Sequence, residues 1–153
     1  MHRQRLGCIV GIMTDPVTAR PTGAISRTYI TSDLMKIGTA KTLGAPAGLV
    51  RLSPDDEVLA GLCIAEGLET ALRAMSIGLR PVWSTGSTSL MSSFPALSGI
   101  EALRVIVDHD ANGAGERAAR EVERRWLGAG RAVDLRMRDK IGDLDDAFRG
   151  GGS

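Results

Sequence analysis

Two short apolar runs that each end in acid constrain this chain more than any other feature. Leu62 to Ala65 runs into Glu66-Gly67, and Leu103 to Val107 runs into Asp108-His109-Asp110. Each is followed by a helical pattern. After Gly67, Leu68, Ala71, Leu72 and Met75 form an apolar stripe at helical spacing, and Gly78 is a natural stop. From Gly115 to Leu127, Ala118, Ala119, Val122 and Trp126 supply a second buried face, with Gly128 and Gly130 ending the helix. Pro81 to Ser84 and Ala132 to Arg136 read as two more strands, and a short helix fits between Ser89 and Phe94 before Pro95. Short strands alternating with helices predict an α/β fold: a mostly parallel, Rossmann-like sheet with helices on both faces.

A small antiparallel β-rich segment precedes it. Cys8 to Met13 and Ala24 to Ile30 form a hairpin across turn formers at Asp15, Pro16 and Pro21 to Gly23. A Gly- and Pro-rich loop, Gly44 to Gly48, leads to a third strand at Leu49 to Leu52, before Ser53, Pro54, Asp55 and Asp56 mark a boundary. The expected division is residues 1–56 as the β-rich segment, 57–149 as the catalytic α/β domain, and 150–153 as a flexible tail or truncation scar.

At 153 residues and 43% apolar, the chain supports one compact domain with an appendage. Aromatics are 3%, so Leu, Ile, Val, Ala and Met must fill the core. The formal charge of +1 excludes a global basic field, so any nucleic-acid contact must come from local cations. Cys8 and Cys63 are too few and too far apart for a structural zinc site, and both read as buried free thiols in a reducing compartment. With no apolar stretch of membrane-spanning length and no signal-peptide pattern, the expected location is cytoplasmic, away from membranes.

Open α/β sheets place ligands beyond the carboxyl ends of their strands. If the two acid-ended strands are neighbours, Glu66, Asp108 and Asp110 converge. Carboxylates at about 4 Å repel by roughly 4 kcal/mol per pair at an effective dielectric near 20, so a cation or bound protons must accompany them. Oxygen ligands without a His or Cys set favour Mg²⁺, with Mn²⁺ as its substitute. Gly142-Asp143-Leu144-Asp145-Asp146 follows the last strand and adds carboxylates that could reach the same edge. Gly67 permits a sharp strand-to-helix turn, while Gly113 and Gly115 open a helix N-terminus to phosphate. Each signal has a plainer reading. A Glu-Gly at a strand end is usually structural, and Asp110 could cap a turn while Asp108 starts a helix. The ordered combination is much more specific than its parts.

Glu66-Gly67-Leu68-Glu69-Thr70-Ala71-Leu72, and Asp108-His109-Asp110-Ala111-Asn112-Gly113 followed by Ala118-Ala119, resemble the two signature motifs of Toprim domains. They are most similar to those of phage and plasmid primases and of primase-like proteins from mobile elements. Gly142 to Asp146 resembles the closing Gly-Asp-x-Asn-Asp element, with Asp143 and Asp146 matching and Asp145 in place of Asn. The resemblance is strong from Leu62 to Phe148. It is looser over Thr14 to Leu52, through Arg27-Thr28-Tyr29 and Lys41-Thr42-Leu43-Gly44.

The resemblance implies Glu66, Asp108 and Asp110 as catalytic residues: Glu66 as general acid or base, the Asp pair holding Mg²⁺. Glu66, Asp108, Asp110, Asp143 and Asp146 form the candidate metal set. Arg27, Lys36, Lys41, Gly67 and Gly113 are candidate contacts to nucleic acid or nucleotide. Arg117, Arg120 and Arg124 share a helix face that could contact nucleic acid but reads more readily as a solvated surface with local Glu pairs. Ser84 to Thr88 could donate to phosphate or form an ordinary polar loop with a helix cap. His109 is expected to turn away from the Asp pair by strand alternation.

The implied function is synthesis of RNA primers from nucleoside triphosphates on single-stranded DNA. Alternatives are a Toprim metal-dependent nuclease, or a non-catalytic remnant that binds nucleic acid or a partner. No Cys or His cluster supplies the zinc module of full primases, so a helicase or zinc-binding module on another chain is an expected partner. Tyr29, the only tyrosine, lies in a hairpin strand and is no topoisomerase nucleophile. A receiver domain would carry its acids earlier and a Lys after a later strand.

Overall fold

The computed structural model describes residues 6–32, 36–108 and 110–137. Three strands come first: β1 (Gly7–Thr14), β2 (Pro21–Ile30) and β3 (Lys36–Leu43), forming an antiparallel sheet in the order β1-β2-β3. The rest alternates: β4 (Val50–Arg51), a 3-10 turn at Asp55–Glu57, β5 (Gly61–Ala65), α1 (Leu68–Ser76), β6 (Val82–Ser84), α2 (Thr88–Ser92), β7 (Ala102–Val107), α3 (Ala114–Gly128) and β8 (Ala132–Met137). The second sheet has the order β4-β6-β5-β7-β8, parallel except for β4.

Periodicity located the helices correctly because their apolar stripes have one sheet face to cover. Ala71 and Ala74 of α1 pack on Cys63, Ala65, Val82 and Ile106. On the opposite face Ala118, Ala119, Val122 and Trp126 of α3 meet Ile64, Leu103, Val105 and Val107. Trp126 is fully buried and stacks on Phe94 with ring centroids 5.9 Å apart. The fold is therefore the expected α/β arrangement with helices on both faces. Among the described residues no helix is long and apolar enough to cross a membrane.

Three expectations need correction. Lys36–Leu43 is a strand that the hydrophobic pattern did not mark, because all but one of its residues are exposed and it is held mainly through pairing with β2. The strand expected at Leu49 to Leu52 is the two-residue β4, which pairs with β6 in the larger sheet. Cys8 is exposed, since strand alternation turns it to the outer face of the hairpin, whereas Cys63 is buried. Burial pushes the Cys63 thiol up to about 12.

Arg51 ties the sheets together. Its guanidinium donates to the hydroxyl of Thr14, to the carbonyl oxygens of Asp15 and Pro16 (both 3.1 Å) and to Asp55 (2.7 Å), and lies 4.4 Å from the Trp83 ring centre. The inner face of the antiparallel sheet packs Met13 and Ala24 on Val50 and Leu68.

Candidate active site

β5 lies between β6 and β7, so the two acid-ended strands are hydrogen-bonded neighbours, with Ala65 paired to Ile106. Glu66 and Asp108 follow at the same end of the sheet. Two of the acid side chains meet over Gly115, where a methyl group would lie 3.7 Å from both Glu66 Oε2 and Asp110 Oδ2 and 3.1 Å from the main-chain carbonyl oxygen of Asp108, whose carboxylate lies toward Gly67. Gly115 is buried in the first turn of α3, and its missing side chain leaves this space open.

Each acid is held differently. Glu66 is half-buried, and its carboxyl is raised above the ordinary value first by burial, then by the charges of Asp108 and Asp110. The backbone N–H of Thr88, at the start of α2, opposes that rise. The Glu66 carbonyl oxygen accepts from the Ser84 hydroxyl (3.0 Å) and from the Gly86 N–H (2.8 Å). The Ser84 to Thr88 loop therefore cradles Glu66, and Ser87 caps α2 by accepting from the Leu90 N–H.

Asp110 accepts from the N–H groups of Ala114 and Gly115, both at 3.0 Å. The Gly115 N–H is the largest cause that lowers its carboxyl below the ordinary value. Two donors that could have faced phosphate are thus engaged within the protein. The capping reading of Asp110 and its place among the acids hold together, because the cap fixes the carboxylate beside Glu66. Asp108 is held by Thr70, whose hydroxyl lies 2.9 Å from Oδ1 and 3.2 Å from Oδ2.

Among the described residues, no group of three His, Cys, Asp or Glu side chains forms a ready-made metal cage. Mg²⁺ does not require one, since it typically binds through one or two carboxylates, water and substrate phosphate. The donor set fits such an ion: all oxygen, with Glu66 under the negative field of two neighbours. Asp143, Asp146 and His109 lie outside the described residues.

The other candidates separate clearly. Gly67 precedes α1 as its N-cap, with Asp108 Oδ2 3.6 Å from where a side-chain carbon would start. Gly113, at φ +64, is the N-cap of α3. Lys36 reaches Glu69 at 3.0 Å, which brings the start of β3 to the acidic rim. Arg27 and Lys41 pair across β2 and β3, and Arg27 stacks 4.7 Å from the Tyr29 ring centre. Arg120 pairs with Glu116 and Glu123, Arg124 with Glu121, and Arg117 donates to the Asn112 carbonyl, so this helix face is a local ion-pair surface. Sequence reasoning placed Thr70 only within the motif and marked Thr88 only as part of a loop that could donate to phosphate, not to Glu66. For Thr70 a signal exists, a hydroxyl one helical turn beyond Glu66; for Thr88 the polar loop was visible, but its Glu66 partner was not.

The family model described as "Toprim domain" matches residues 61–153. No curated protein sequence matches the chain. Among solved structures, a DNA primase domain from Pseudomonas aeruginosa is similar at 15% identity with a TM-score of 0.54, over 94% of this chain and 49% of that one. The Aquifex aeolicus primase, comprising zinc binding and RNA polymerase domains, is similar at 16% identity with a TM-score of 0.47, over 94% of this chain and 40% of that one. This chain thus spans half or less of the length of either structure.

Proposed function

Because the chain belongs to the Toprim domain family, we propose that Glu66, Asp108 and Asp110 perform Mg²⁺-dependent phosphoryl transfer on nucleic acid, and that the reaction is primer synthesis from nucleoside triphosphates on single-stranded DNA. The observation that carries this reading is the approach of Glu66 Oε2 and Asp110 Oδ2 to one open point above Gly115. Acids from two strands face one space there.

Glu66 is the proton carrier. Its raised carboxyl, partly shielded from water, moves toward the range in which a group both takes and gives a proton at the 3′ oxygen. Asp110, held by the α3 N–H groups, stays ionised, and Thr70 orients Asp108. These two, with Asp143 and Asp146, would hold Mg²⁺, which supplies stabilisation of charge developing on the phosphate oxygens. Arg27, Lys36 and Lys41 offer cations to the backbone of the nucleic acid, with Lys36 reaching the acidic rim through Glu69.

The test is template-dependent dinucleotide synthesis. Glu66→Gln and Asp108→Asn should each lower it by about 10²-fold or more, the scale of losing a positioned proton carrier or a metal ligand. Wild-type synthesis in either variant would overturn the assignment. Cleavage of labelled DNA or RNA in Mn²⁺, lost in the same variants and without synthesis by the wild type, would move the reaction to the nuclease class.

A further inference from the structure

Thr70 is nearly inaccessible at 5% exposure, yet its hydroxyl faces the acidic rim. A helical threonine commonly turns its hydroxyl back to a carbonyl three or four residues earlier. Four residues earlier that carbonyl is Glu66's, and it is already engaged by Ser84 Oγ and Gly86 N. The Thr70 hydroxyl is directed instead across the strand ends to Asp108, 2.9 Å from Oδ1 and 3.2 Å from Oδ2. Its β-branch leaves few rotamers inside α1, so the donor is stiff.

The consequence falls on Asp108. A carboxylate at a strand end turns about two side-chain bonds, so its hydrogen-bond partners decide where it stops. The hydroxyl lies within reach of both oxygens and closer to Oδ1, so α1 restrains the carboxylate, and Oδ2 lies toward Gly67, 3.6 Å from where a side-chain carbon would begin. α1 starts two residues after Glu66, so the same turn that carries the proposed proton carrier also orients the acid on the neighbouring strand. Hydrogen-bond partners that fix a metal ligand's orientation typically contribute 10–100-fold in metal affinity.

We propose that Thr70 is a positioning residue that aligns Asp108 for a divalent cation, with no contact of its own to the ion or to the reacting atoms. This rests on the reading of the acids as a metal site, and the experiment separates the two. Mn²⁺ binding to the whole chain is followed by calorimetry and by electron paramagnetic resonance, without nucleotide, for wild type, Thr70→Val, Thr70→Ser and Asp108→Asn. Thr70→Val keeps the shape and loses the hydroxyl. The expected result is Mn²⁺ affinity weakened about 10–100-fold in Thr70→Val and within about threefold of wild type in Thr70→Ser. Melting curves in chelator should show both folded; if Thr70→Val does not fold, Thr70→Ala takes its place. Wild-type affinity in Thr70→Val, or an equal loss in Thr70→Ser, overturns the role of the hydroxyl alone. Absence of saturable Mn²⁺ binding in wild type, or binding unchanged in Asp108→Asn, overturns the metal reading beneath it.

Discussion

The two sheets of this protein bury themselves in opposite ways. β5, β6 and most of β7 are buried on both faces, under α1 on one side and under α2 and α3 on the other. The antiparallel sheet covers only one face: Ala24, Ser26 and Thr28 of β2 turn inward, while Arg27 and Tyr29 turn outward. Cross-strand register extends that outer face into rows, Val10 beside Arg27 beside Lys41, and Cys8 beside Tyr29 beside Ile37. No Asp or Glu occurs in β1, β2 or β3, whereas acids crowd the rim of the parallel sheet. Buried core and acidic groups concentrate in one sheet, cationic surface in the other. The start of β3 joins them where Lys36 meets Glu69.

The contrast breaks most visibly in the core. Trp126→Ala, beneath the parallel sheet, should cost about 3–5 kcal/mol, the range for emptying a buried aromatic site. The lower end is expected, because among the described residues its buried indole N–H has no partner and removing it recovers part of the loss. Tyr29→Ala, on the outer face, gives up partly exposed area and one cation–π contact, together about 1 kcal/mol. Urea unfolding of the two variants measures both. Comparable losses would mean that the antiparallel sheet is as much a part of the core as the parallel one.

A smaller effect tests how the sheets dock. A side-chain carbon at Gly11 of β1 would come within 2.8 Å of both methyl carbons of Val50 in β4. Gly11→Val should therefore destabilise by about 1–3 kcal/mol through overpacking. The acids lie on other strands, so Mn²⁺ binding by the folded variant should be kept. Unchanged stability would show that the two sheets separate freely at this seam, and lost Mn²⁺ binding would show that the rim depends on it.

What could be read beforehand follows the same division. Strands β5 and β7 were legible because interior parallel strands are short, continuous apolar runs, and their acid ends stood out against them. The helices were legible because each has one face to bury. β3 was not: Lys36-Ile37-Gly38-Thr39-Ala40-Lys41-Thr42-Leu43 buries almost nothing, so no apolar alternation was required of it. The partner of β4 was hidden for another reason, since a two-residue strand carries no period from which to choose its sheet. At the site, the identities of Glu66, Asp108 and Asp110 stood in the sequence. Of their supports only the cap by Asp110 could be read; the Thr88 and Gly115 N–H groups were visible as donors without their carboxylate partners, and Thr70 meets Asp108 across 38 residues of chain.

The smallest expected effect concerns the electrostatic penalty at the rim. Burial and the charges of Asp108 and Asp110 raise the Glu66 carboxyl in the folded protein above its ordinary value of 4.5. The folded state therefore holds this proton more tightly than the unfolded chain does. Stability associated with protonated Glu66 is fully present below about pH 4.5 and is lost as pH rises through the folded value. Glu66→Gln removes the charge while keeping the shape, so in chelator at pH 7 to 8 the variant should be more stable than wild type. Because Glu66 remains partly in water, screening holds the gain to about 1 kcal/mol, or roughly 2–4 °C in Tm for a chain of this size. Toward pH 4 the two melting curves should converge. Added Mn²⁺ should reverse their order at neutral pH, since the cation stabilises the ionised wild type and finds one charge fewer in the variant. A variant less stable than wild type in chelator at every pH would mean that Glu66 is held by favourable partners, and that the acids of the two strands do not act on one another.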